Sequence, residues 1–135
     1  MKDVPRVRTV LQDLPTRSIV YTGDTGPSMT VAELAKNADV LVSEMIDMAG
    51  TLETVARNSP NMSPAAKANL EQHLSTHHLT PDALGQLAAA ARVKSLVITH
   101  FAGGTPNPAR TADYVVQIRR YFAGPVTFAN DLDRY

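Results

Sequence analysis

Two hydrophobic periodicities take turns along this chain. Short stretches with apolar residues alternating or running together are separated by longer ones with apolar residues every three or four positions. Arg6 to Leu11 (R-V-R-T-V-L) alternates polar with apolar and predicts a half-buried strand. Gln12 to Thr16 reads as a hairpin turn, and Ser18 to Thr22 as a second strand ending at Gly23-Asp24. Thr30-Val31-Ala32-Glu33 has the form of a capping box and opens a short helix to about Asn37. Asp39 to Ser43 is an apolar run suited to a buried strand. Ile46 to Thr76 predicts two helices broken at Asn58-Ser59-Pro60-Asn61, the second capped by Ser63 with Pro64 at its first position. Thr80-Pro81 starts another helix to about Arg92, followed by a strand at Ser95 to Thr99. Asn107-Pro108 opens a last helix to about Phe122, and Val126 to Ala129 is the last strand. The loop Gly103 to Asn107 is the most flexible in composition. Strands alternating with helices predict an α/β fold, and the absence of repeats or linkers predicts one domain over residues 1–135.

Composition narrows the function classes. The chain has 44% hydrophobic and 19% charged residues, the balance of a globular protein rather than a disordered one. Thirteen basic and 13 acidic residues cancel, so charge gives no indication of nucleic-acid binding or of an anionic membrane surface. With no cysteine, disulfides, thiolate metal sites and a cysteine nucleophile are excluded. Met1 to Arg6 lacks the apolar stretch of a signal peptide, and the apolar run near Leu84 to Ala91 is too short to span a bilayer. The expected location is the cytoplasm, with no membrane partner.

Candidate chemistry clusters where strands end. Asp24 follows a strand and lies between Gly23 and Gly26, where the backbone can turn sharply and a ligand can approach. It reads either as a metal ligand or as a turn aspartate. His100 closes the strand Ser95 to Thr99 and can face the same crevice, as a ligand or as a hydrogen-bonded structural histidine. His77 and His78 precede a capped helix start, whose dipole favours the neutral imidazole needed for metal binding or proton acceptance. At most one of the two is expected in a site. His73 reads as solvated surface, and Glu44 and Asp47 as solvated or supporting carboxylates. Ser28 and Thr25 have no base beside them to make a nucleophile. The Asp24 to Ser28 loop is also a weak candidate for holding phosphate at a helix N-terminus.

Taken jointly, four segments resemble the C-terminal half of the metallo-β-lactamase-fold hydrolases. Ser18 to Thr25 is similar to the strand and loop that deliver the metal-bridging aspartate, and Ala38 to Glu44 to the strand after it. His78-Leu79-Thr80 resembles the His-x-Thr of the tRNA 3′-processing and phosphodiesterase-like members, and Val97 to Phe101 the strand ending in the last histidine ligand. The resemblance implies Asp24 and His100 as ligands of a divalent metal, most simply zinc, with manganese or iron as alternatives. It implies catalytic parts for Asp24, bridging two metals, and for His78, stabilising the transition state or donating a proton. In the family a metal-bound hydroxide attacks an ester, amide, thioester or phosphodiester. The family's other ligand motif, His-x-His-x-Asp-His, is absent here, so this chain alone is not expected to complete the metal site or to be fully active.

The resemblance therefore implies half of an αββα sandwich: a mixed sheet of about five strands with helices on one face. The other face would expose on the order of 400 Å². If apolar, it would contribute up to about 10 kcal/mol when covered. The expected partners are a second copy of the chain or an N-terminal half, with a small-molecule or phosphodiester substrate, unless a helix from Ile46 to Thr76 covers the face. The alternative function is a non-catalytic truncated homologue serving as a binding or oligomerisation module.

Overall fold

A computed structural model describes residues 10–14, 17–104 and 107–135. The expectations placed on Met1 to Thr9, Pro15-Thr16 and Thr105-Pro106 lie outside those residues. In chain order the elements are β1 (Val10–Leu14), β2 (Arg17–Tyr21), α1 (Met29–Leu34), β3 (Val40–Ile46), α2 (Met48–Asn58), α3 (Pro64–His77), α4 (Pro81–Ala91), β4 (Ser95–Ala102), α5 (Pro108–Arg119) and β5 (Val126–Phe128). The strands form one sheet in the order β1-β2-β3-β4-β5. β1 runs antiparallel to β2, and the remaining neighbours are parallel. The expected five-stranded mixed α/β sheet is what the chain forms.

Boundaries differ where side chains reassign backbone partners. Gln12 to Leu14 continues β1 against β2 rather than turning. The cap of α1 is Ser28, whose extended backbone lets its hydroxyl accept from Val31 N, so the helix starts before the expected Thr30 box. β3 runs three residues past Ser43, because the segment after α3 pairs with it: Ile46 N–H donates to Leu79 O at 2.9 Å. The caps expected at Ser63, Thr80 and Asn107 are present, each followed by proline at the first helical position.

Helices α1, α4 and α5 pack side by side over one sheet face. Alternate strand residues Val20, Leu41, Met45, Leu96 and Ile98 meet Leu84, Leu87, Ala88, Tyr114, Ile118 and Phe122 there to form the core. Their neighbours point the other way. Ile19, Val40, Val42, Val97 and Thr99, bordered by Arg17, Ala129 and Tyr135, line a shallow apolar cavity of about 200 Å³ on the opposite face. Neither α2 nor α3 buries any residue, and neither lines this cavity, so they do not cover that face. No helix among the described residues is long and apolar enough to cross a membrane.

Candidate metal centre

The four side chains of interest come from separate segments that meet at the C-terminal edge of the parallel strands. Asp24 lies in the loop between β2 and α1, which turns through positive φ at Gly23 and Gly26. At Gly26 an added Cβ would stand 2.1 Å from Thr76 O, so the loop is pressed against the end of α3. Glu44 sits at the irregularity in the β3–β4 register between Ser43 and Met45, where a bulge re-aims a side chain. His78 is the extended residue that caps the C-terminus of α3, while His77 still belongs to the helix. His100 is not the last residue of its strand. It lies inside β4 and leaves the regular ladder through a left-handed backbone, φ +48°, which histidine tolerates better than most residues.

The structure brings Asp24 and His100 together: His100 Nε2 stands 2.9 Å from Asp24 Oδ1, with both side chains more than half exposed. Beneath them, one ligand atom each from Asp24, Glu44 and His78 lie within 4.8 Å of one another. His78 Nδ1 is 3.3 Å from Glu44 Oε2. The site is thus graded, with Asp24 and His100 at the rim, His78 partly buried and Glu44 sealed below.

Glu44 is expected to be solvated or supporting; at 1% exposed it is not solvated, and its contact with His78 is that of a supporting carboxylate. Leu79 N–H donates to its Oε1 at 2.7 Å, and Thr25 and Gly26 N–H groups reach the same oxygen at 3.4 Å. Burial pushes its carboxyl above the usual range, opposed by those three N–H groups and by the His78 ring. Both oxygens are occupied by protein donors, so Glu44 orients His78 rather than serving as a free ligand. The donors that fit a borderline divalent cation are the Asp24 carboxylate and the His100 imidazole. Two protein ligands fall short of the three that catalytic zinc sites ordinarily use.

Other expectations are relocated. The N–H groups of Thr25 and Gly26 are turned to Glu44 and α1 has only six residues, which overturns the phosphate-cradle reading of that loop. Ser28 is the cap of α1, and Thr25 Oγ1 is buried without a hydrogen-bond partner among the described residues. Asp47 is 4% exposed rather than solvated. It caps α2 through Gly50 N–H and accepts from Tyr114 Oη and from Arg110, which also reaches Glu53. Burial and the Asp47 carboxylate push the Tyr114 hydroxyl well above its ordinary value. This network ties α2 to α5 and stands apart from the cluster around Asp24.

No family model matches the chain. It is 38% identical over 90 residues to a ribonuclease Z of Brevibacillus brevis, covering 65% of this chain and 22% of the relative. It is 29% identical over 125 residues to a ribonuclease Z of Pseudomonas putida, covering 90% and 34%. The chain therefore spans between a fifth and about a third of the length of these relatives. Among solved structures it is similar to YhfI of Bacillus subtilis, a metallo-β-lactamase fold protein, with TM-score 0.57 and 17% identity over 92% of this chain and 46% of the other. It is also similar to a long-form RNase Z from yeast, with TM-score 0.50 and 18% identity over 85% and 13%. The fold is that of the metallo-β-lactamase superfamily, and the sequence relatives include ribonuclease Z proteins. The resemblance read from the four sequence segments holds at the level of fold and relatives.

Proposed function

We propose that this chain is the C-terminal, metal-binding part of a zinc-dependent phosphodiester hydrolase, with manganese or iron as alternative metals, acting in the cytoplasm. The observation that carries this reading is the convergence of Asp24, His100 and the His78–Glu44 pair from four separate segments on one sheet edge. A divalent ion there would supply Lewis acidity and an activated water at neutral pH. Asp24 and His100 are the residues of this chain that would hold it.

The remaining work falls to His78 and Glu44. A carboxylate at Glu44 Oε2 accepts from Nδ1–H of His78, which fixes the ring and leaves Nε2 for the substrate side. When the ring carries a second proton, Nε2–H is the group that donates to a departing alkoxide, and the buried carboxylate stabilises the charged ring. Leu79 N–H holds the carboxylate in place throughout.

Completion of the ligand set is assigned to a partner seated on the apolar sheet face, either an N-terminal half of the fold or a second copy. The competing reading, a non-catalytic binding module, draws on the shortage of protein ligands in this chain. Zinc content after equilibration and dialysis, measured beside hydrolysis of bis(p-nitrophenyl) phosphate, separates the two. In the assembly with the partner, the hydrolase reading expects metal-dependent turnover and metal retention that Asp24→Ala or His100→Ala abolishes. Metal content unchanged by both substitutions would overturn the ligand assignment. No stoichiometric metal and no turnover in the completed assembly would favour the binding module.

A further inference from the structure

We propose a second transition-metal site, formed by His73 and His77 on the exposed side of α3 and separate from the Asp24 cluster. The two residues are four apart on one helix, so they project from the same face one turn from each other. Their ring centroids are 4.2 Å apart, and both residues are exposed. His77 Nδ1 lies 2.8 Å from His73 O. A carbonyl oxygen only accepts, so Nδ1 carries the proton and Nε2 is the ring nitrogen left to bind an ion. The ring of His73 makes no hydrogen bond among the described residues. Two neutral imidazoles at this spacing chelate first-row divalent ions that favour nitrogen, namely Cu²⁺, Ni²⁺ and Zn²⁺, with water filling the other positions.

The next residue separates the two centres. His78 leaves the helix with an extended backbone and turns its ring to Glu44, so it is not part of the pair. The location gives the site a consequence for the fold. α3 buries no residue, so its last turn lacks the tertiary packing that stabilises most helices. An ion bridging His73 and His77 would staple that turn, which leads directly into His78 and Leu79. The proposal stands independently of the hydrolase reading.

The test is titration of the tag-free full chain with Ni²⁺ by calorimetry, with far-UV circular dichroism in parallel. Wild type is compared with His73→Gln, His77→Gln, the double variant and Asp24→Asn. Both histidines are solvent-facing, so the variants keep the fold. We expect each single His substitution to weaken one Ni²⁺ site by about tenfold or more. The double variant should lose that site and the gain in helical signal, while Asp24→Asn retains both. Unchanged Ni²⁺ affinity and stoichiometry in the double variant would overturn the proposal. Loss of the same site on Asp24→Asn, with the His73/His77 variants unaffected, would also overturn it by placing the ion at the other cluster.

Discussion

Replacing Glu44 with alanine should destabilise the fold far more than replacing it with glutamine. The alanine variant leaves Leu79 N–H, now bonded at 2.7 Å, with no acceptor in a fully buried setting. An orphaned buried donor costs about 1–3 kcal/mol. The lost methylene adds about 0.8 kcal/mol, while relief of a buried carboxyl works the other way. The net loss is about 1–3 kcal/mol, which lowers the thermal midpoint by roughly 3–15 °C for a domain of this size. Glutamine keeps the volume and one carbonyl oxygen toward Leu79, so its cost should stay under about 1 kcal/mol. Burial raises the folded carboxyl above its ordinary 4.5, so stability from this group is complete below that value and declines as pH rises through the raised one. Glu44→Gln should therefore improve relative to wild type as pH increases. Urea unfolding followed by circular dichroism gives the energies, and amide exchange at Leu79 reports the bond itself. Equal stability of the alanine and glutamine variants, with Leu79 protection intact in both, would refute the assignment of this carboxylate as the acceptor.

Further perturbations probe other parts of the account. Gly26→Ala forces a side chain onto φ +68° and into Thr76 O, so it should cost at least about 2 kcal/mol and displace the Asp24 loop, read by thermal melting and metal affinity together. The Lys94 ammonium and the Ser18 N–H hold the Asp39 carboxyl down at about 2 against an ordinary 3.8. Its contribution is present above the ordinary value and lost as pH falls toward 2, so Asp39→Asn should flatten the acid limb of a stability profile between those values. Val42→Glu puts a charge on the apolar sheet face without touching the core cluster. It should convert any paired species to monomer in sedimentation at tens of micromolar, whereas wild type that is strictly monomeric there would sink self-pairing.

The fold was legible where local chemistry sets it. Ser63-Pro64, Thr80-Pro81 and Asn107-Pro108 each cap a helix as their sequences state, and the apolar runs at Val40 and Leu96 are the central strands. Legibility failed where a distant partner decides the outcome. The sequence leaves Glu44 solvated or supporting, because no local pattern reveals that Leu79, 35 positions later, supplies an N–H to a buried carboxylate there. The same is true of Asp47, whose donors Arg110 and Tyr114 lie more than 60 residues downstream. Asp24 and His100 could be singled out because each comes after a run of apolar strand residues, and parallel strands deliver such residues to one edge. The left-handed backbone at His100 left no trace in the sequence.

The central claim is that Asp24 and His100 converge on a common divalent cation. An anomalous difference map recorded at the zinc edge, from crystals of the chain assembled with its completing partner and equilibrated with zinc, tests it most directly. The account predicts a peak within coordination distance of Asp24 Oδ1 and His100 Nε2, absent from crystals of the Asp24→Ala variant. A map with no peak at that pair, or zinc bound only at His73 and His77, would contradict it.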